Sequence, residues 1–291
     1  MEKVIRVGAL NIVTQPHSAK NYERLIRMLG RSRRAARIRG DRFGQIAFAP
    51  EAGGPSSEPY VEGLIGTFTQ IDVDGDWMNV RSGKVAESDE KAGLSIPKDL
   101  QPNAKHFRYR FYLKQHVLVF EIGNAGDRLT PVNAGKLFER LLANPKIISE
   151  FGEVVCTVFP EKESVDAIVH SPSLKSIDFV VHAPNPDDGK AAERDFKDRM
   201  HRMRVLRLQQ SVVARKSQFI QPDEKLASDL KIAATNGHVK AAIKKGNRTV
   251  VVSTADTPFM YVHEYTLQRG KTFEEGEFGI AADRALAELR E

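Results

Sequence analysis

Several features typical of secreted, membrane-bound and cofactor-dependent proteins are missing from this chain of 291 residues. Its single cysteine, Cys156, excludes an internal disulfide and a metal site built from several thiolates. No apolar run approaches the ~18 residues of a membrane-spanning helix. The opening residues, MEKVIRVGALNIV, carry Arg6 inside a short apolar stretch and do not resemble a signal peptide. We therefore expect a soluble, cytoplasmic protein without a membrane partner.

The common catalytic and nucleotide-binding motifs are also missing: GxxxxGK[ST], GxGxxG, HExxH, GxSxG and paired CxxC. We therefore predict no cofactor and no metal site. One stretch, Asp72-Val-Asp74-Gly-Asp76, begins like a calcium loop, but the closing carboxylate should fall at the position of Gly83. We interpret it as a solvated turn.

What the sequence does have is positive charge in one place. The net charge is +6, and residues 30–42, GRSRRAARIRGDR, hold six arginines and one aspartate, which supplies five of those six charges. Such segregation is typical of a face that binds a polyanion. The alternative is that basic and acidic segments of the chain, such as the acidic residues 51–100, simply meet each other in the fold.

Residues 18–29 predict a helix, with Ser18 as its N-cap. An apolar stripe at i, i+3, i+4 and i+7 consists of Tyr22, Leu25, Ile26 and Leu29. The opposite side is basic and, continued past Gly30, consists of Lys20, Arg24, Arg27, Arg31 and Arg34. Arg33 would point towards the core, so we expect the helix to end between Gly30 and Arg33.

The remaining pattern predicts mixed sheets with helices packed on them, an α+β or α/β fold. A ferredoxin-like βαββ start is one compatible option. Residues 1–126 are strand-rich with one early helix and basic faces, and residues 127–291 alternate strand and helix. A Gly/Asn loop separates these two parts, which one continuous domain could also contain. Within the first part, period-2 alternation gives a predicted strand an apolar face and a basic face, the latter formed by His106, Arg108, Arg110, Tyr112 and Lys114.

These basic elements make nucleic-acid binding, with RNA ahead of DNA, our first functional hypothesis. The predicted phosphate contacts are Arg24, Arg27, Arg31, Arg34, Arg37, Arg39, Arg108, Arg110 and Lys114. Tyr112 is the only aromatic residue on the basic face of its strand, so the pattern indicates phosphate more strongly than bases.

Two alternatives stay open. A metal-independent endoribonuclease would need an acid, a base and a cation, and His17, just before the first helix, is the weak candidate for its acid or base. A homo-oligomeric assembly or antitoxin-like protein would instead place the basic face against an acidic protein surface, its own or a partner's.

Three segments carry a resemblance: RVGALNIVTQPHSAKNYERL, KLFERLLANPKIISEFGEVVCTV and HAPNPDD. Over most of its length the chain resembles an uncharacterised bacterial family, a domain of unknown function. The resemblance implies a bacterial cytoplasmic protein and suggests a context in defence against phage. It carries no activity and no catalytic residue.

Overall fold

A computed structural model describes residues 2–15, 17–48, 50–97, 99–124, 126–184, 191–268 and 272–290. They form mixed sheets with helices packed on them, which confirms the predicted mixed α+β class. The helices are α1 (Ala19–Ser32), α2 (Ser88–Lys91), α3 (Pro131–Leu142), α4 (Pro145–Phe151), α5 (Lys162–Val169), α6 (Ala191–Met203), α7 (Glu224–Asn236) and α8 (Glu274–Arg290). The strands are β1 (Glu2–Val13), β2 (Ala36–Arg39), β3 (Arg42–Ile46), β4 (Glu51–Gly53), β5 (Tyr60–Thr69), β6 (Met78–Asn79), β7 (Lys84–Val85), β8 (Lys105–Tyr112), β9 (Val117–Glu121), β10 (Gly123–Asn124), β11 (Asp127–Arg128), β12 (Val155–Val158), β13 (Leu174–His182), β14 (Arg207–Val213), β15 (Gly237–Lys245), β16 (Arg248–Ser253) and β17 (Met260–Thr266).

The larger sheet is antiparallel and has the order β12-β1-β9-β8-β5-β3-β2, with β4 added beside β5. Its longest strand, β1, pairs with β9 on one side. On the other side β1 pairs with β17 along Glu2–Gly8 and with β12 along Leu10–Val13. Most of β1 is buried on both faces, which is typical of a central strand covered by helices on both sides.

One face of this sheet, here called the inner face, packs against α1, α3 and α4 around a core that includes Tyr22, Tyr109 and Phe111. Helix α1 begins as predicted, because the Ser18 Oγ accepts from the Asn21 N–H at 3.2 Å. Its predicted apolar stripe is buried. It ends at Ser32, and Arg33 adopts the left-handed region with φ +46°, which confirms the predicted exit between Gly30 and Arg33.

The opposite, outer face is covered over part of its area by α8. Phe278, Ala282 and Leu286 of α8 are buried with Val7 of β1 and Val119 of β9. This helix packs mainly on β1, β9, β17 and β8, and Tyr60 at the start of β5 packs against the same cluster. Towards β3 and β2 the outer face is only partly covered, because Phe43, Gln45, Leu64 and Phe68 are half-buried and Phe48 is exposed. This region is here called the open part of the outer face.

A second, four-stranded sheet has the order β14-β13-β15-β16 and packs against α5, α6 and α7. The sequence pattern predicts a strand at residues 174–182 and a hairpin of residues 238–243 and 249–253, and β13 and the β15–β16 hairpin confirm both. Helix α7 follows Asp223, whose Oδ1 accepts from the Leu226 N–H at 2.7 Å. The sequence also predicts that Asp187 or Asp188 caps the helix that follows, α6, and both of these aspartates lie outside the described residues.

The ferredoxin-like start is a correction. The elements β1, α1, β2 and β3 follow one another along the chain, but β9, β8 and β5 lie between β1 and β3 in the sheet. The neighbours of β1 in the sheet are instead β9, β12 and β17, which come from distant parts of the sequence. The predicted parts 1–126 and 127–291 consequently share one sheet, to which the second part contributes β12 and β17.

Within the described ranges, no helix has both the length and the apolar character to cross a membrane.

Candidate nucleic-acid interface

The nine residues predicted to contact phosphate fall into two groups, and the first group is bound to partners within the protein. On α1, a guanidinium N–H of Arg24 donates to Glu150 of α4. Arg27 donates through Nε to Glu23 at 2.8 Å and through Nη1 to the Pro50 carbonyl at 3.1 Å. Much of the charge of this helix face is therefore already balanced by neighbouring carboxylates.

The basic face of β8 also largely has partners within the protein. Arg110 lies beneath α8, only 8% exposed. It donates to Glu62 at 3.0 Å and to Asp283 at 2.9 Å. Arg108 pairs with Glu121 at 3.4 Å, and burial is the main cause that raises the pKa of the Glu121 carboxyl.

Tyr112 and Lys114, which the sequence places on the same face, also have partners within the protein. Tyr112 is buried, and its hydroxyl donates to the Asp283 carboxylate at 2.5 Å. Lys114 is exposed, and its Nζ donates to the Ser57 carbonyl at 3.0 Å. The alternation correctly identified which residues share a face, but α8 covers the centre of that face.

The second group is exposed and lies at the end of α1, in the following turn and on β2. It consists of Arg31, Arg34, Arg37 and Arg39. Arg33, which was not among the nine, is exposed in the same turn, and the five residues together are here called the arginine cluster. In the part of the chain that the structure describes, no carboxylate lies within ion-pair distance of any of these five guanidinium groups. The sixth arginine of the segment, Arg42, pairs with Asp127 at 2.6 Å.

The arginine cluster is held by the edge strand β2. Ala36 and Ile38 are buried in the core, so the alternate residues Arg37 and Arg39 are exposed. The guanidinium of Arg140 on α3 donates to the main-chain carbonyls of Arg37 and Ile38. Because these bonds satisfy carbonyls on an outermost strand, α3 fixes β2 in place and blocks the addition of another strand there.

Two phenylalanines that the sequence pattern did not indicate lie on the open part of the outer face, in line with Arg37 of the cluster. Arg37 of β2 lies opposite Phe43 of β3, which lies opposite Phe68 of β5. The two phenylalanine rings are nearly parallel, at 16°, with centroids 6.3 Å apart. The Arg37 guanidinium carbon lies 5.5 Å from the centroid of the Phe43 ring. We call these three residues the Arg37–Phe43–Phe68 row.

His17 lies apart from this surface. Its Nδ1 is 3.1 Å from the Tyr22 hydroxyl, and its ring meets His116 edge-on, with centroids 4.1 Å apart. Burial, and secondarily the nearby His17, lower the pKa of His116 to about 2, so His116 stays neutral near neutral pH. At ~1.5 Å per residue, α1 separates His17 from the arginine cluster by roughly 20 Å. The geometry does not bring an acid, a base and the arginines together.

The other residues considered for metal binding or catalysis do not form a site among the described residues. Asp72 Oδ1 accepts from the Asp74 N–H at 3.1 Å within an exposed turn. Among the described residues, no group of three or more histidine, cysteine or acidic side chains could hold a metal ion. Burial raises the pKa of the Cys156 thiol, which packs against the core.

The fold and this surface define a mixed α+β protein whose larger sheet carries, at one edge, an arginine cluster without a carboxylate partner among the described residues. A family model described as a domain of unknown function (DUF4747) matches residues 3–278. The chain belongs to this family, as the resemblance of its sequence segments predicted. Comparison with curated proteins gives no match.

Proposed function

We propose that this protein binds nucleic acid through the arginine cluster, with RNA preferred over DNA. The observation that carries the proposal is the division of the predicted arginines. Arg24, Arg27, Arg108 and Arg110 have carboxylate partners, whereas the five arginines of the cluster have none within the described residues. Guanidinium groups without an internal counter-charge are suited to bidentate contacts with phosphate.

The cluster is also anchored well enough to bind without prior ordering. Its members lie on the last turn of α1, on the turn itself and on β2, and β2 is fixed by Arg140 and by its own buried residues. A surface that is already ordered loses less entropy when its ligand binds.

The salt dependence of binding gives a quantitative expectation. If all five arginines contact phosphates of a single strand, log K should change with log salt with a slope of about −3.5. Affinity should then fall roughly 100-fold between about 50 and 200 mM salt. We would measure this by fluorescence anisotropy with a labelled single-stranded RNA of about 12 nucleotides and with a DNA of the same sequence.

A matched pair of variants isolates the cluster. The first replaces Arg31, Arg33, Arg34 and Arg37 with alanine. The second, as control, replaces four exposed basic residues on or beside the second sheet with alanine, namely Arg207, Arg215, Lys216 and Arg248. Both variants lose the same charge, so a non-specific effect of net charge would be equal in the two. We expect the first to lose most RNA affinity and most of the salt slope, and the control to keep both.

A flat salt response of the wild type, or unchanged binding by the first variant, would contradict the proposal. A purified homo-oligomer that carries no nucleic acid and is unaffected by nuclease would favour the assembly or antitoxin-like alternative. Within the described part of the chain, His17 lies beside Tyr22 and His116, and these contacts do not favour the metal-independent endoribonuclease. The bacterial defence context stays a prediction.

A further inference from the structure

We infer that the Arg37–Phe43–Phe68 row is a stacking platform for unpaired bases, so that the ligand of this surface is single-stranded RNA. The inference rests on the proposed function and specifies its substrate class. The row lies on the open part of the outer face, and its first residue, Arg37, belongs to the arginine cluster.

The strand register places the row on the face opposite the core. On β3 the inner positions are Gly44 and Ile46, which are buried, so Phe43 points to the outer face. On β5 the inner positions Ile65 and Thr67 are buried, so Phe68 also points outwards. Neither phenylalanine belongs to a hydrophobic core cluster of the protein. Packing of the fold therefore does not account for these two side chains.

The outer face continues from this row towards α8 in two further rows. Gln45, Gly66 and His106 lie opposite one another on β3, β5 and β8. Phe48, with 58% of its surface exposed, places its ring 5.8 Å from that of His106. Leu64 lies opposite Arg108 in the third row. Beyond it Arg110 lies under α8, which marks the border of the open surface.

Aromatic and basic side chains on neighbouring strands of an open sheet suit single-stranded RNA. Every base has a π-face that can stack on an aromatic ring, whatever the sequence, while arginines at the border contact the backbone phosphates. Bases within a duplex are already stacked on each other and cannot lie on Phe43 or Phe68. The arginines alone would accept a duplex as readily as a single strand, so the row determines the preference.

A protein partner could also cover aromatic side chains. The charge at the border argues for RNA, because the row begins at Arg37, an exposed member of the arginine cluster that has no carboxylate partner among the described residues. A single-stranded nucleic acid matches both the arginines, through its phosphates, and the phenylalanines, through its bases. An apolar protein surface would match only the phenylalanines.

The variants Phe43→Leu and Phe68→Leu remove the aromatic face and keep an apolar side chain in the strand. Their control is Phe219→Leu, because Phe219 is a half-exposed phenylalanine with its own cation, Lys175 Nζ, 4.3 Å from the ring centroid, but belongs to the region of the second sheet. Each platform variant should weaken binding of single-stranded RNA about 5-fold or more, given the usual contribution of base–aromatic stacking. The control should bind like the wild type, and thermal unfolding should show that all three variants are folded.

Three further probes separate stacking from phosphate binding. A 2-aminopurine base in the RNA should change its fluorescence on binding the wild type, and this change should be reduced in Phe43→Leu. An abasic oligomer, which keeps the phosphates, should bind the wild type and Phe43→Leu equally. A duplex RNA of the same length should compete more weakly than the single strand.

The outcomes distinguish the two proposals. If the arginine variant loses affinity while both platform variants keep it, or if duplex competes equally, the stacking platform is overturned and nucleic-acid binding stands. If the wild type binds neither RNA nor DNA, both proposals fail. A dimer that dissociates in the platform variants, with RNA binding unchanged, would assign the row to self-association and overturn the inference.

Discussion

Replacing Arg110 with leucine tests whether this arginine is a structural residue beneath α8 rather than part of the RNA surface. Its guanidinium donates to Glu62 at 3.1 and 3.0 Å and to Asp283 at 2.9 Å. It also lies over the Tyr60 ring, 3.9 Å from the centroid. Arg110 thus connects β8, β5 and α8, and its removal should loosen the helix from the sheet.

The contacts set the size of the effect. Removing one partner of a fully buried ion pair costs about 3–5 kcal/mol. Here the partner side chains are more accessible, 35% for Glu62 and 57% for Asp283, so water can hydrate the carboxylates left behind. We therefore expect Arg110→Leu to lower the free energy of unfolding by about 2 kcal/mol, and Tm by roughly 4–8 °C.

Urea unfolding followed by circular dichroism would measure this loss. The matched control is Arg24→Leu, which breaks an exposed ion pair with Glu150 and should cost less than about 1 kcal/mol. RNA affinity of Arg110→Leu, measured well below its Tm, should equal that of the wild type. A loss no larger than that of the control would refute the structural role, and a loss of affinity in a stable variant would place Arg110 in the interface.

Two further predictions concern residues with positive φ. Arg33→Gly should be about 1 kcal/mol more stable in urea unfolding than Arg33→Ala, because glycine enters the left-handed region without a Cβ clash. Both variants should lose the same amount of RNA affinity. Equal stability of the two variants would contradict the helix exit at Arg33. The second prediction is that His116 lowers the free energy of unfolding of the wild type by about 2 kcal/mol as the pH falls from about 7 to about 5. In the folded protein the pKa of His116 is lowered to about 2, so its ring stays neutral in this range. In the unfolded chain the same ring takes up a proton below about pH 6.5, which favours unfolding. His116→Asn should remove this pH-dependent loss of stability, and asparagine tolerates the backbone φ of +57° at this position. An unchanged pH dependence of the unfolding free energy in this variant would show that His116 does not cause the loss.

Local rules accounted for α1 well. The Ser18 cap, the apolar stripe and the exit near Arg33 all depend on residues within one short segment, whose spacing decides the outcome. Strand β17 was missed because it is an edge strand in which only His263 is buried, so it shows no apolar alternation.

The candidate site was predictable only in part, because it depends on contacts between distant segments. The excess of charge in residues 30–42 is visible in the sequence, but the pairing of Arg110 depends on Asp283, which lies in the last helix. The Arg37–Phe43–Phe68 row exists only once the register of three strands is fixed. A single sequence does not contain that register, since β3 and β5 each show only an isolated phenylalanine and β2 shows only arginines between apolar residues.

The pairing of β1 with β17 and α8 has a consequence for how the protein is made. About 250 residues separate Val13, the end of β1, from Met260, the start of β17, and synthesis at about 5–20 residues per second takes roughly 12–50 seconds to cover them. During that interval the apolar outer side of β1 and β9, including Val7 and Val119, has no helix to cover it. The nascent chain therefore leaves apolar residues of β1 and β9 uncovered until β17 and α8 have been synthesised.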